Sequence, residues 1–286
     1  MKEIGFVGIG VMGKSMAQNL MDHGYTVRIY TRTKKKADSL IQNGAIWHDN
    51  PAELAGIVDL LITMVGYPTD VEDLYLSEGG FLETMRKGTI AVDMTTSSPE
   101  LAKTIYKEAK AAEIGVLDAP VSGGDIGAKN GTLSIMIGGE REVFEHVRAV
   151  FEVLGENIVF QGEAGSGQHT KMVNQIAIAS NMIGVTEAIV YAEKAGLDPE
   201  TVLQSITSGA AGSWSLSNLI PRVLQDDFSP GFFIKHFIKD MRIALDEAAK
   251  MKLELPGLEL AEKMYQTLAD RGLSDEGTQA LIKYYR

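Results

Sequence analysis

The stretch GSGQHTKMVNQ, Gly165 to Gln175, places Lys171, Asn174 and Gln175 at i, i+3 and i+4, so a helix there sets all three on one face. An ammonium beside a carboxamide can steady negative charge developing on an oxygen and hand it a proton. His169 is the other proton-moving group in the stretch, since free imidazole titrates near neutrality, but it falls on a different face. A second lysine, Lys239, stands beside Asp240 in FFIKHFIKDMRIALDEA and shares helical spacing with Arg242. That spacing is common in surface charge. A lone helical lysine is more often solvated than reactive, so the case for Lys171 rests on its place at the start of a helix that joins two domains.

A different chemistry is written near the start. In GFVGIGVMGKSMAQNL, Gly8, Gly10 and Gly13 follow a short apolar run and precede an amphipathic one. A strand, a G-x-G-x-x-G turn and a helix in that order bind the pyrophosphate of a dinucleotide. The first glycine permits the turn, the second the approach of the anion, and the third close packing of helix on strand. Val11 and Met12, opening the helix, offer its free N–H groups. An NAD site usually has an acid about twenty residues on, for the ribose hydroxyls. Here TVRIYTRTKKK has no acid, and Thr31, Arg32 and Thr33 follow the strand. A guanidinium with a neighbouring hydroxyl suits a 2′-phosphate, which favours NADP, with NAD remaining possible. The lysines Lys34, Lys35 and Lys36 suit either the same phosphate or a solvated helix start.

LDAPVSGGDIGAKNGTL holds a third feature. Pro120 and the pair Gly123 and Gly124 would expose consecutive backbone N–H groups in a turn after a strand, an anion nest suited to a carboxylate. Ser122 adds a hydroxyl donor.

Two sets of elements must position these groups. Up to about Gln161, β-type runs (EIGFVG, TVRIYT, VDLLITMV, TIAVDM, GVLDAP, TLSIMIGG and NIVFQG) alternate with helical ones. DLLITMV is apolar on both faces, as strands of a doubly covered parallel sheet are. The expected class is α/β: a Rossmann-type doubly wound sheet over residues 1–162, followed by an all-helical domain over residues 163–286. That domain opens with a helix from Gly167 to about Ala195, capped by Gly196, and continues through Pro199–Ser208, Ser213–Leu224, Ile234–Met251, Pro256–Asp270 and Glu276–Tyr284. GAAGSWSLSN, Gly209 to Asn218, would shape a pocket, with Trp214 either its wall or a core indole.

Bulk properties narrow the partners. The 286 residues carry a net charge of −11, with 45% hydrophobic and 23% charged residues, as ordinary globular proteins do. A nucleic-acid partner is not expected of so acidic a chain. With no cysteine, disulfides and thiolate chemistry are excluded, and no metal site is expected. No run of about 18 consecutive apolar residues points to a membrane, and MKEIGFVGIG does not read as a leader. A cytoplasmic protein is expected.

Taken together, GFVGIGVMGKSMAQNL, DAPVSGGDIGAKNGTL, GSGQHTKMVNQ and FFIKHFIKDMRIAL make the whole chain resemble the β-hydroxyacid dehydrogenase family. That family includes 3-hydroxyisobutyrate dehydrogenases and the tartronate, glyoxylate and succinic semialdehyde reductases. The resemblance implies NAD(P)-dependent interconversion of a short β-hydroxyacid and its semialdehyde. It implies that Lys171 is the catalytic lysine, with Asn174 holding substrate, and that Ser122, Gly123 and Gly124 bind the substrate carboxylate. Met64, Val65 and Thr95 match positions lining the nicotinamide nucleotide, and Lys239 lies where cofactor and substrate meet. Phe232 and Asp240 match substrate-side residues. Thr31 stands where NADP-using members often have Asn, and Gly66, Tyr67 and Pro68 replace a common Ser-Asp-Pro. A homodimer or homotetramer is expected, as the long helix has more apolar residues than one stripe needs. Two other classes share parts of this pattern: a sugar-acid dehydrogenase of the 6-phosphogluconate type, and a nucleotide-binding redox sensor without turnover, which would need neither Lys171 nor Asn174.

Overall fold

The computed structural model describes residues 2–286 and divides them into two compact units, one ending at Lys171 and one running from Met172 to Arg286. In the first, nine strands among the described residues form one sheet: β1 (Glu3–Val7), β2 (Thr26–Tyr30), β3 (Ile46–Trp47), β4 (Leu60–Thr63), β5 (Ile90–Asp93), β6 (Gly115–Asp118), β7 (Val121–Ser122), β8 (Leu133–Gly139) and β9 (Gly155–Gly162). Their order is β3-β2-β1-β4-β5-β6-β8-β7, with β9 also on β8. Strands β1 to β6 are parallel, β8 is antiparallel to β6 and β7, and β9 runs parallel to β8.

The doubly covered sheet follows from strands that are apolar on both faces. Along β4, Leu60 and Ile62 enter one buried layer with Met16, Ala17 and Leu20 of helix Val11–Asp22 and Phe144 and Val147 of helix Arg141–Leu154. Leu61 enters the opposite layer with Leu54, Val71, Tyr75 and Ile105. Burial of both faces is what a parallel sheet needs. The helices covering it begin where the sequence stops extending: Asn50 accepts the Ala52 N–H ahead of Pro51, and Ser98 accepts the Leu101 N–H ahead of Pro99. Proline in the first turn loses no helical hydrogen bond.

The second unit is helical. The long helix Ser166–Lys194 brings Met172, Ala179, Met182, Val185 and Ile189 into a core with Phe237 and Met241 of helix Ile234–Lys250, and with Leu258, Ala261 and Tyr265 of helix Pro256–Asp270. Gly196, with φ of +72°, follows its end. By length and composition this helix could cross a membrane; Met172, Ala179, Met182, Val185 and Ile189 are packed in the helical core.

Several elements depart from expectation. Strands β3 and β7, two residues each, were too short to leave a period in the sequence. The helix expected over Ser213–Leu224 is two pieces, Trp214–Asn218 and Ile220–Leu224, because Pro221 has no N–H for the Ser217 carbonyl. The last segment is a 3₁₀ helix, Thr278–Tyr284.

Candidate active site

The glycine turn lies where the strand order reverses, between β1 and β4, the place where open α/β sheets bind ligands. Gly8 has φ of +105°, and a Cβ there would strike the Met64 carbonyl. A Cβ on Gly13 would strike the Gly8 carbonyl. Both glycines are therefore demanded by the protein itself. Gly10 is different. Its backbone is extended, with φ of −92°, and a Cβ would meet nothing within 4 Å. Neither conformation nor a neighbour requires glycine there, whereas an anion at the N-terminus of helix Val11–Asp22 does. Val11 is exposed and Met12 half-buried at that entrance. The residues present thus fit a dinucleotide.

Thr31, Arg32 and Thr33 follow β2 directly. Arg32 is 76% exposed, and its Nη1 donates to Asp70 Oδ1 at 3.0 Å. One edge of the guanidinium is held while the rest faces solvent. Asp70 comes from the helix Pro68–Leu76 and also accepts the Tyr67 N–H; no local pattern signals its pairing with Arg32, since the two residues lie 38 positions apart. Lys34 lies over the Trp47 ring at 5.0 Å, and Lys35 and Lys36 are exposed.

Lys171 is 7% exposed, and its Nζ donates to the Val121 carbonyl at 2.9 Å. That carbonyl immediately precedes Ser122, so lysine and the Ser122-Gly123-Gly124 turn are brought together within the first unit. Gly123 and Gly124 have φ of +130° and +64°. His169 sits two residues from Lys171, and residues so spaced do not face each other on a helix.

Two residues that sequence reasoning passed over hold the start of this helix. Asp118, buried at the end of β6, accepts the Gly165 N–H at 2.8 Å and the Gln168 N–H at 2.9 Å. Burial outweighs both N–H groups and pushes its carboxyl up from 3.8 to about 6, with Asp93 adding in the same direction. The Gln168 carboxamide accepts the Ser97 N–H at 2.9 Å and donates to the Thr95 carbonyl at 2.7 Å. Thr95, itself buried, accepts the Val65 N–H at 3.0 Å, and Met64 N–H donates to the Val7 carbonyl at 2.9 Å. A signal existed: Asp93 and Asp118 each end an otherwise apolar strand, and they are register partners across β5 and β6.

In the second unit, Asn174 Nδ2 donates to Gln175 Oε1 at 2.7 Å, and Gln175 Nε2 donates to Asp240 Oδ2 at 2.6 Å. Lys239 Nζ pairs with Asp240 Oδ1 at 2.9 Å. Asp240 is 1% exposed, so its carboxylate serves Gln175 and Lys239. Phe232 is half-buried, 5.6 Å from the Phe237 ring between centroids. His236 is held neutral at ordinary pH, burial lowering its imidazole to about 4. Trp214 is 55% exposed, which removes the core-indole reading.

Sheet order and glycine turn together define a Rossmann-type dinucleotide-binding fold. Residues 3–162 match the family described as the NAD binding domain of 6-phosphogluconate dehydrogenase. Residues 165–285 match that described as NAD-binding of NADP-dependent 3-hydroxyisobutyrate dehydrogenase. An uncharacterized oxidoreductase of Bacillus subtilis, YkwC, is 59% identical over 99% of both chains. The 2-hydroxy-3-oxopropionate reductase of Escherichia coli is 38% identical over 98% of this chain and 96% of its own. The structure of Mycobacterium tuberculosis 3-hydroxyisobutyrate dehydrogenase with L-serine superposes with a TM-score of 0.90 at 30% identity, over 100% and 99% of the two chains. The chain belongs to the β-hydroxyacid dehydrogenase family.

Proposed function

We propose that this chain interconverts a short β-hydroxyacid and its semialdehyde, preferring NADP(H), with Lys171 as proton donor and acceptor. The observation that carries the reading is the buried Lys171 ammonium, fixed to the Val121 carbonyl next to the Ser122-Gly123-Gly124 turn. The turn would take the substrate carboxylate on Ser122 Oγ and backbone N–H groups. Gly8, Gly10, Val11, Met12 and Gly13 would hold the pyrophosphate, Thr31, Arg32 and Thr33 the 2′-phosphate end, and Met64, Val65, Thr95 and Lys239 the nicotinamide side. Bound there, the dinucleotide supplies hydride to the carbonyl carbon or accepts it from the alcohol. Lys171 stabilises the alkoxide oxygen and gives it a proton; in the reverse direction a neutral Lys171 takes the hydroxyl proton. Asn174, oriented through Gln175, donates a positioning hydrogen bond to the substrate. Phe232 lines the substrate side, and Asp240 acts through the two residues that it holds.

The description matched by the first half keeps a sugar acid such as 6-phosphogluconate as a second reading; the match of the helical half favours the shorter acid. The reading needs neither membrane nor nucleic acid, assigns the reaction to the cytoplasm, and includes a homo-oligomer. A steady-state panel tests it, with 3-hydroxyisobutyrate, glyoxylate, succinic semialdehyde, 2-hydroxy-3-oxopropionate and 6-phosphogluconate, each with both cofactors. Turnover of a short acid or semialdehyde, with the higher kcat/KM for NADP(H), is expected. Turnover of 6-phosphogluconate alone would move the assignment to the sugar acids, and none at all would leave a sensor. Lys171→Ala should lower kcat by at least about 10³-fold with little change in NADPH affinity.

A further inference from the structure

Gln168 is fully buried and sits one helical turn before Lys171. Its backbone N–H is taken by Asp118, while its carboxamide bridges the Thr95 carbonyl and the Ser97 N–H beyond the end of β5. That site asks for one donor and one acceptor on the same planar group, at the reach of two methylenes. A glutamine meets the demand. Ionised glutamate offers acceptors alone, methionine has no donor and only a weakly accepting sulfur, and asparagine is one methylene too short. We propose that Gln168 is a positioning residue for the reaction: its carboxamide fixes the Thr95–Ser97 segment against the helical turn that carries Lys171.

The inference rests on the reading of Lys171 as proton donor and of Thr95 as part of the nicotinamide side. Hydride and proton must reach adjacent atoms of one carbonyl, so the separation of the nicotinamide segment from the ammonium bears directly on rate. A misplacement of about 1 Å can cost about 10²-fold. Through Thr95 Oγ1 the clamp also reaches the Val65 N–H at the end of β4. Three strand ends are thereby referred to one helix start, and the clamp makes no use of the 2′-phosphate end of the cofactor site.

The test compares wild-type protein with Gln168→Met and Gln168→Glu, after circular dichroism has shown each to be folded. Hydrogen exchange on the unliganded chain reads the clamp itself. The Ser97 amide should lose protection by at least about tenfold in Gln168→Met and less in Gln168→Glu, which keeps the acceptor. Affinity for 2′,5′-ADP, which lacks the nicotinamide, should stay within twofold in both. With NADPH and 2-hydroxy-3-oxopropionate, or the panel compound best used by wild type, kcat should fall about 10- to 100-fold while KM for NADPH changes little. Unchanged kcat overturns the proposal, whether or not Ser97 loses protection, because the clamp would then be structural alone. Unfolding of both variants overturns it likewise. A Lys171→Ala variant run alongside separates the two claims. If it loses turnover while the Gln168 variants keep theirs, the functional reading stands and the positioning role fails. If Lys171→Ala keeps turnover, the functional reading falls and takes the positioning role with it.

Discussion

A side chain fixed at one end and free at the other is suited to meeting an anion, and Arg32 has that form. Asp70 holds one edge of its guanidinium while three-quarters of the side chain faces solvent. Arg32→Ala should therefore weaken NADPH more than NADH, because the 2′-phosphate alone loses a charge-assisted partner, by about 10- to 100-fold. Equal weakening of both cofactors would refute the assignment. Gly10 supports a sharper test, since nothing in the protein demands a glycine there. Gly10→Ala should leave the thermal midpoint within a few degrees and lower affinity for either dinucleotide at least tenfold, as a methyl group enters the anion's space. Gly8→Ala should instead lower stability, because its Cβ has no room and its φ is positive. At Lys171, Arg should not restore the Ala variant, being longer and unwilling to release its proton. His169→Ala should be mild; a severe loss there with Lys171→Ala mild would assign the proton to the imidazole.

Most of the elements could be read from the sequence because a repeating pattern made them visible. The apolar runs became strands, helix Pro256–Asp270 has the expected ends, and Lys171, Asn174 and Gln175 lie on one helix as their spacing requires. What could not be read is long-range pairing of polar groups. Asp118 and Gln168 stand 50 residues apart, and Gln168 and Thr95 73 apart, and no local period records such a contact. The antiparallel turn of β8 against β6 was equally hidden, since a strand's own pattern does not state its partner's direction. The anchoring of the long helix carries a testable pH dependence. Asp118 has an ordinary value of 3.8 in the unfolded chain and about 6 when folded, so the folded state binds the extra proton between those values. Stability from this group is then fully present below pH 3.8 and is lost as pH rises through about 6, by about 3 kcal/mol in all. Urea denaturation of wild type and Asp118→Asn from pH 4 to 7 isolates it. Wild type should lose up to that amount relative to the variant as pH rises, and parallel curves would show that the carboxyl titrates normally.

The long helix is too apolar for the share of it that its own unit buries. Met172, Ala179, Met182, Val185 and Ile189 face the helical core, yet Val173, Ala177, Ser180, Gly184, Ala188 and Tyr191 are exposed at spacings of three and four residues. This second stripe runs from residue 173 to residue 191 of the helix, about 27 Å at 1.5 Å per residue, with the exposed Glu187 beside Ala188. Four of its six residues, Ala177, Ser180, Gly184 and Ala188, are small enough to let another helix approach closely, and Tyr191 supplies a large apolar body with a polar tip. A net charge of −11 opposes indiscriminate association between copies, so pairing requires a specific surface such as this one. A homodimer or homotetramer with the stripe at its interface is the expected assembly. Light scattering at micromolar concentration should give two or four times the 31.0 kDa chain mass. Gly184→Arg, placing a long charge in the middle of the stripe where the chain itself leaves open space, should shift the mass toward the monomer with the fold retained by circular dichroism. A monomeric wild type would refute the assembly. An oligomer untouched by Gly184→Arg would keep the association and move its interface to another face.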